Sequence, residues 1–257
     1  ALAKALNVIG LMNIQFAVQG ETVYILEANP RASRTVPFVS KAIGIPLAKI
    51  ASRVMSGKNL EELGFIDEQI PDHVSVKEAV LPFAKFPGID TVLGPEMRST
   101  GEAMGIDVDF GKAFAKAQLS AGQKLPLEGT VFVSMSDRYK EAVVPVVKDL
   151  VDLGLKVVAT EGTRKILRLH GLEVGLMLKL HEGRPNVLDG IKNGEIQLII
   201  IIPSGDEARA DGIKIRRSAL DYKITLITTI AGAKATAAAI RALKSGALEV
   251  KAIQDYY

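Results

Sequence analysis

Gln15-Phe-Ala-Val-Gln-Gly-Glu-Thr-Val-Tyr-Ile-Leu-Glu-Ala-Asn-Pro-Arg31 contains two short runs of alternating apolar and polar residues, with Gly20 between them. Apolar residues stand at the even positions on both sides of this glycine, and a period of two is typical of β-strands. We therefore predict a β-hairpin with Gly20 in its turn. If the even-numbered side chains of both strands point into a core, the residue numbers of each cross-strand pair must add to an even number.

The opposite face of this hairpin would carry Gln15, Glu27 and Asn29. Carboxylate and amide oxygens are hard donors that suit Mg²⁺ or Mn²⁺. Arg31 and Arg34 follow directly, and guanidinium groups match phosphate oxygens in geometry and charge. Such a set favours phosphoryl transfer from a metal-bound nucleotide. On spacing alone, an ordinary strand end with an Asn-Pro turn and solvated charges is the alternative.

The bulk composition is that of a folded protein. The 257 residues are 48% hydrophobic and 24% charged, which excludes a disordered chain and allows one large or two ordinary domains. The net charge of +3 comes from scattered Lys and Arg residues, so we expect no nucleic acid and no membrane as partner. The absence of Cys excludes disulfides and a thiolate nucleophile, and we expect a cytoplasmic protein.

The first part of the chain mixes short elements with Pro- and Gly-rich segments. The predicted elements are the hairpin, a helix over 38–55 with a break at 44–46, irregular structure over 60–102 that includes a strand-like run at 74–81, and a helix over 110–119. Ser120–Pro126 is the best candidate linker on composition, although an ordinary surface loop is the alternative. We therefore predict domains at residues 1–122 and 123–257.

Beyond residue 127, short apolar strands alternate with helical patterns. Strands are predicted over 129–135, 155–159, 174–179, 196–202 and 223–227, and helices over 140–153, 164–170, 186–192, 211–219 and 233–244. This alternation predicts a doubly wound parallel α/β domain with helices on both faces of its sheet. In such a sheet, ligands bind in the crevice at the carboxyl ends of the strands.

A candidate anion site lies at these strand ends. Thr160-Glu-Gly-Thr163 follows a predicted strand and opens a helix, so hydroxyl groups and free backbone N–H groups could bind phosphate there. Lys140 and Lys179 follow two other predicted strands and could share the same rim. Taken singly, a helix capped by Thr163 and two solvated lysines are the alternatives.

Several blocks of the first part resemble, in the same order, the second ATP-grasp unit of the carbamoyl phosphate synthetase large-subunit family: residues 10–18, 25–41, 44–50, 75–83, 86–88 and 94–102. The resemblance implies an ATP-dependent ligase that makes carbamoyl phosphate from bicarbonate, glutamine-derived ammonia and ATP. It implies that Gln15, Glu27 and Asn29 hold Mg²⁺ or Mn²⁺ against the ATP phosphates. Arg31 and Arg34 would neutralise charge on the transferred phosphoryl group. A glutaminase small subunit would be the partner.

The remaining residues resemble the methylglyoxal-synthase-like allosteric domain of the same family, through residues 158–163, 179–186, 189–195, 215–220 and 228–232. The implied fold is α/β: a partial α+β ATP-grasp segment followed by the doubly wound domain. The implied effectors are UMP and, in some members, IMP or ornithine. By this resemblance, Lys140, Thr160, Thr163 and Lys179 bind the phosphate of the allosteric nucleotide.

Three positions depart from the family pattern. Ile201 and Pro203 stand where many members have Asn and Thr, and neither side chain can supply those hydrogen bonds. Ala231 stands where some members have Asn. We therefore expect weaker nucleotide binding or a different ligand, and control by ornithine or IMP is in doubt.

The chain opens without Met, in residues typical of the end of a helix, and we expect a fragment of a longer polypeptide. In the family, the adenine pocket and the Gly-rich loop precede this point, so we expect no ATP hydrolysis by this chain alone. Two other classes stay open. One is an inert regulatory module that binds nucleotides. The other is a methylglyoxal-synthase-type lyase, which is disfavoured because its Asp-Pro-Leu and Pro-His-Asp segments do not occur.

Overall fold

The computed structural model describes residues 1–81, 83, 101–202 and 206–257, with the backbone alone for residues 206–209. These residues form two compact units, Ala1–His73 with Val250–Tyr257, and Val74–Glu249. In the ranges that the structure describes, no helix combines the length and the apolar character that crossing a bilayer requires. The predicted boundary at residues 122 and 123 stays a prediction. Residues 86–88, 94–100 and Pro203, which the sequence analysis singled out, lie outside the described residues.

The first unit contains the predicted hairpin and a pair of helices. Its elements are α1 (Leu2–Ala5), β1 (Asn13–Gln19), β2 (Thr22–Asn29), α2 (Thr35–Ile43) and α3 (Leu47–Met55). The helical stretch breaks where the sequence predicted, because Gly44 ends α2 in the left-handed conformation and Pro46 precedes α3. Gly20 also has a positive φ of 60° in the hairpin turn, which a glycine adopts without strain.

The register of the hairpin differs from the prediction. The paired residues add to an even number only from Asn13↔Asn29 to Gln15↔Glu27; beyond a bulge, Phe16 pairs with Ile25 and the sum becomes odd. The prediction that both even faces point into a core is also wrong, since Phe16 is 52% exposed and Leu26 is 63% exposed. A sheet of two strands, with no described layer packed over these side chains, leaves them in solvent.

The second unit contains a five-stranded sheet and a smaller antiparallel pair. Its elements are β3 (Val74–Val80), β4 (Gly101–Asp107), α4 (Phe110–Ser120), β5 (Thr130–Met135), α5 (Lys140–Asp152), β6 (Lys156–Ala159), α6 (Glu161–Leu169), β7 (Gly175–Leu176), α7 (Val187–Lys192), β8 (Leu198–Ile202), α8 (Asp206–Asp221), β9 (Thr225–Ile227) and α9 (Ile230–Ser245). All predicted helices and strands of this unit are present, with ends that differ by a few residues. Strand β4 was not predicted.

The five-stranded sheet is parallel throughout, in the order β7-β6-β5-β8-β9. The chain winds outward from β5 through β6 to β7, and then returns to the other side of β5 to form β8 and β9. This confirms the predicted doubly wound fold. The winding reverses between β5 and β8, and ligands bind to such folds at the carboxyl ends of these two strands.

Two apolar cores cover the two faces of the sheet. Val131 and Val133 of β5 pack into one core with α5 and α9, while Phe132 packs into the other with α7 and α8. Residues of β8 divide in the same way, with Ile200 in the first core and Ile201 in the second. Successive strand residues point to opposite faces, so a strand buried on both faces is continuously apolar. This explains the run Leu198–Ile202.

Helix α4 packs closely against β4 and α9 because small residues line its surface. Ala113, Ala115 and Ala117 are fully buried. A Cβ atom on Gly105 of β4 would lie against the carbonyl oxygen of Ala113 and the amide nitrogen of Ala117. The backbone of α4 therefore approaches β4 at a distance that only a glycine permits at this position.

We predict that Gly105→Ala destabilises the chain by about 3 kcal/mol or more, because the added methyl group overlaps helix backbone that cannot move alone. The measurement is equilibrium unfolding in urea. Gly101→Ala is the matched control on the same strand, since its Cβ would meet Val80 at an ordinary 3.9 Å. Equal stability of the two variants would contradict this packing.

Candidate functional site

The structure brings the predicted metal ligands together on one face of the hairpin. Gln15 pairs directly with Glu27 across the ladder, and residues opposite each other point to the same face. Asn29 lies two residues beyond Glu27 and shares that face, where its Nδ2 donates to Glu27 Oε1 over 2.9 Å. Asn13 pairs with Asn29 and adds an amide that the sequence analysis did not single out.

Arg31 lies next to this patch, where its Nη2 donates to Asn29 Oδ1 over 3.5 Å and its Nη1 donates to the Ala32 carbonyl over 3.0 Å. Arg34 directly precedes α2. The described residues include no group of three or more His, Cys, Asp and Glu side chains that could hold a metal ion. The oxygens of Gln15, Glu27 and Asn29 fit a hard divalent ion that takes its other ligands from phosphate and water. Asn29 would give up its bond to Arg31 to coordinate such an ion through Oδ1.

A cavity of ≈ 670 Å³ opens at the carboxyl ends of β5 and β8, the position that the fold predicts for a ligand. Lys140, Thr160, Thr163 and Lys179 all line it, so the structure unites residues from three separate connections of the chain. The other polar lining residues are Ser134, Ser136, Asp137, Arg138, His181 and Asp211.

Hydroxyl groups form the floor of this pocket. Thr160 Oγ1 donates to Thr163 Oγ1 over 3.4 Å and lies 3.2 Å from Ser134 Oγ. Thr163 is fully buried, and its hydroxyl accepts a hydrogen bond from the Met135 amide over 3.0 Å. That bond ties the end of β5 to the first turn of α6 and fixes Thr160 at the pocket surface.

The first turn of α6 points its backbone at the same cavity. Helix α6 begins at Glu161, and Thr160 occupies the N-cap position without making a side-chain capping bond. The alternative in which Thr163 caps the helix is therefore wrong, because Thr163 lies inside the first turn. The leading N–H groups of a helix carry partial positive charge and bind anions when no side chain caps them.

Lys140 begins α5 and extends across the pocket toward α6. A Cβ atom on Gly162 would lie 2.8 Å from Lys140 Nζ, so the glycine leaves room for the ammonium group. The Lys140 side chain is 19% exposed, and its Nζ lies 2.5 Å from Asp137 Oδ1. The hydrogen bond from Lys140, together with its charge, holds the pKa of the Asp137 carboxyl below its usual value.

A tight loop places Lys179 in the lining of the same cavity. The Lys179 amide donates to Glu182 Oε2 over 2.9 Å, and its Nζ lies 3.6 Å from Glu182 Oε1. Asn186 and Asp189 close the far end of the loop with a capping box on α7. Four charged or amide side chains thus hold the loop between Lys179 and α7 by local bonds.

Ile201, one of the positions that depart from the family pattern, lies in the wall of the pocket. Ile201 is 3% exposed and packs with Phe132, Val187 and Ile215, which also line the cavity. One wall of the pocket is therefore apolar at the position where the sequence analysis noted a lost amide. Ala231 lies in the first turn of α9 and is not among the described residues that line the pocket.

The polar pocket residues that the sequence analysis missed include Ser134, Asp137 and Asp211. Ser134 and Asp137 stand at and just after the end of β5, where ligand groups collect in this fold, so their position was a usable signal. Asp211 comes from α8 and lies 3.4 Å from His181 Nδ1 through its Oδ2. No local pattern predicts that approach, because the two residues are 30 positions apart.

Comparison with known proteins agrees with this architecture. Residues 1–63 match the model of the carbamoyl-phosphate synthase L chain, ATP binding domain, and residues 142–228 match that of the MGS-like domain. The carbamoyl phosphate synthase large chain of Synechocystis is 73% identical over 99% of this chain, which is 24% of that protein. This chain is homologous to the C-terminal part of carbamoyl phosphate synthase large chains. The predicted family and the predicted pair of domain types are confirmed.

Other carbamoyl phosphate synthase large chains match over the whole chain. The arginine-specific, chloroplastic large chain of Oryza sativa is 59% identical over 100% of this chain and 22% of its own length. The large chain of Methanosarcina barkeri is 52% identical over 100% of this chain and 65% of its own. This chain thus spans about a quarter of the length of the first two relatives.

The solved structure of methylglyoxal synthase from Elizabethkingia anophelis covers 43% of this chain and 77% of its own, at 20% identity and a TM-score of 0.36. A likeness at this level is too low to support a conclusion about a site. The roles of the individual site residues stay predictions.

We predict that Gly162→Ala weakens binding of inorganic phosphate about tenfold while leaving the thermal unfolding midpoint unchanged or slightly raised. The added methyl group displaces the Lys140 ammonium, whereas an Ala within a helix is favourable for folding. Isothermal titration calorimetry measures the first effect and calorimetric melting the second. Gly190→Ala is not a useful control because it would disturb the core. Gly194→Ala is also unsuitable as a control, because the positive φ of Gly194 would strain an alanine.

Proposed function

We propose that this chain is the part of a carbamoyl phosphate synthase large chain that carries metal and phosphate ligands for one ATP-dependent step and an allosteric nucleotide-binding domain. The observation that carries this proposal is the convergence of Lys140, Thr160, Thr163 and Lys179 on one pocket, in a chain 73% identical to such a protein. The parent enzyme would make carbamoyl phosphate from bicarbonate, ammonia and ATP. A glutaminase small subunit would release the ammonia from glutamine.

The pocket offers a phosphate group donors of several kinds. The ammonium groups of Lys140 and Lys179 supply charge from two different connections of the chain, and Thr160 supplies a hydroxyl in the same cavity. The uncapped first turn of α6 adds backbone N–H groups. Charge-assisted hydrogen bonds of this type are stronger than those between neutral groups. We propose that Thr163, being fully buried, acts by holding Thr160 and the end of β5 in place.

The rest of an effector would lie on the apolar wall. Phe132, Val187, Ile201 and Ile215 offer no side-chain hydrogen bonds, so they suit a base or another flat group recognised by packing. We propose UMP as the primary effector, with IMP and ornithine as weaker candidates. Affinity should be lower than in relatives with an amide at the Ile201 position, since a lost polar contact costs about 1–3 kcal/mol.

The hairpin would serve the ATP-dependent step. Gln15, Glu27 and Asn29 would hold Mg²⁺ or Mn²⁺, which when bound draws negative charge from the ATP phosphates. Arg31 and Arg34 would stabilise charge on the phosphoryl group during its transfer to carbamate. Arg31 donates to Asn29 Oδ1 over 3.5 Å, so its guanidinium group lies beside the proposed metal ligand.

We predict that UMP raises the thermal unfolding midpoint of this chain and that Lys179→Ala removes the effect. A ligand at one hundred times its dissociation constant adds about 2.7 kcal/mol to the free energy of unfolding. Lys148→Ala is the matched control, because Lys148 is exposed on α5 and outside the pocket. Inorganic phosphate and IMP are measured beside UMP.

Three outcomes are informative. Stabilisation lost in Lys179→Ala but kept in Lys148→Ala supports a nucleotide site in this pocket. Stabilisation by IMP alone supports the site and changes the effector. No stabilisation by millimolar UMP, IMP or phosphate contradicts the proposal that this chain binds a phosphorylated effector.

We also propose that this chain alone does not hydrolyse ATP. Gln15, Glu27 and Asn29 lie on a sheet of two strands whose neighbouring side chains are largely exposed, so a divalent ion would be bound weakly. The expected result is equal phosphate release by the chain and by its Glu27→Ala variant with Mg·ATP. Turnover by the unsubstituted chain above that of Glu27→Ala would refute this.

A further inference from the structure

The two lysines of the pocket share an arrangement that the sequence analysis did not detect. Each is paired with a carboxylate three residues away in the sequence. Lys140 Nζ lies 2.5 Å from Asp137 Oδ1, and Lys179 Nζ lies 3.6 Å from Glu182 Oε1. Both cations that would bind phosphate are therefore already engaged by an anion of the chain itself.

In both pairs, the carboxylate can release the ammonium group of the lysine. The Asp137 side chain is 95% exposed, whereas the Lys140 side chain that it contacts is 19% exposed. Asp137 can therefore turn into solvent at little cost, while Lys140 stays in the pocket between α5 and Gly162. Glu182 can release the Lys179 ammonium and keep its bond to the Lys179 amide, since its two oxygens serve different donors.

Among the described residues, three other ionisable side chains line the pocket: His181, Asp211 and Arg138. His181 Nδ1 lies 3.4 Å from Asp211 Oδ2. Arg138 lines the pocket and places its guanidinium carbon 5.4 Å from the centre of the Tyr139 ring. With Asp137 and Glu182 in place, the charges of Lys140 and Lys179 are neutralised locally, so these two ammonium groups attract an entering anion less than free lysines would.

We propose that Asp137 and Glu182 determine the affinity of this pocket by competing with the ligand's phosphate group for Lys140 and Lys179. A phosphate monoester binds by exchange: its oxygens replace one carboxylate at each ammonium group, Asp137 turns into solvent, and Glu182 keeps its bond to the Lys179 amide. This inference rests on the proposed phosphate site. It makes two residues outside the set of phosphate ligands responsible for keeping binding weak and reversible.

The competing explanation is that these carboxylates hold the lysines in the correct position for phosphate. The two explanations predict opposite signs. Removal of a competitor tightens binding, whereas removal of a positioning group loosens it. Tighter binding that results from lost competition should also be more sensitive to salt, because the pocket then presents one more net positive charge to a doubly charged phosphate.

The test uses the isosteric variants Asp137→Asn and Glu182→Gln, each of which removes one charge and keeps an oxygen acceptor. Asp149→Asn is the matched control, since it removes the same charge from an exposed pair with Arg241 outside the pocket. Titration calorimetry with inorganic phosphate and with UMP is carried out on the whole chain at several NaCl concentrations. Melting curves check that each variant is folded.

We expect each pocket variant to bind both probes about two- to fivefold more tightly at low salt, with a steeper loss of affinity as NaCl rises. Asp149→Asn should match the unsubstituted chain. If the chain binds the probes and the two variants bind them equally or more weakly, the competition is refuted and the phosphate site stands. If neither the chain nor either variant binds phosphate or UMP, both proposals fail. Binding by the variants alone supports the competition in its strongest form.

Discussion

The parallel pairing of β5 with β8, from Val131↔Leu198 to Met135↔Ile202, is the constraint on which the second unit depends. It sets where the winding of the sheet reverses, and that reversal separates the two following connections and leaves a crevice. It also decides which strand residues enter which core, because one register step would exchange the two faces. The Thr163 hydroxyl then fixes the open end of this pair by accepting from the Met135 amide, and the pocket is built on that junction.

The two candidate sites differ in how their surroundings support them. Most pocket groups stand on, or directly after, the strands and helices of the five-stranded sheet and its covering layers, so packing sets their positions, whereas Lys179 lies in a loop held by local bonds. The hairpin groups stand on a pair of strands with exposed apolar side chains, and their order comes from local hydrogen bonds among Glu27, Asn29 and Arg31. Local bonds between exposed polar groups contribute little to rigidity, because water competes for each of them. The positions of the pocket groups are therefore better defined than those of the hairpin groups.

The sequence alone was sufficient for the order of elements in the second unit, because each buried strand is a short apolar run and each helix has apolar residues at helical spacing. It failed at β4, where Gly101 and Gly105 interrupt the pattern for reasons that concern the packing of α4. It failed again at the hairpin bulge, because an extra residue cannot be recognised from the alternation of apolar and polar residues when both faces of a strand carry apolar side chains. Within the pocket, Lys140, Thr160, Thr163 and Lys179 were accessible through strand ends and the family resemblance. Asp211 and the carboxylate partners of the two lysines depended on three-dimensional contacts.

The close packing of α4 has a practical meaning for anyone who wishes to isolate the part of the chain that contains the pocket. A Cβ atom on Gly111 of α4 would lie 2.6 Å from the Ala238 carbonyl oxygen of α9, which leaves no space for a side chain, so the two helices meet backbone to backbone. Thr225, in β9, donates to the Lys124 carbonyl over 2.8 Å, which joins the segment after α4 to the edge of the sheet. A recombinant module that began at residue 123 would lose α4 and expose the alanine-lined surface of α9 to solvent. A module that retained residues from Val74 onward would keep that surface covered, and transferring the pocket-containing domain to another protein would require the same extension.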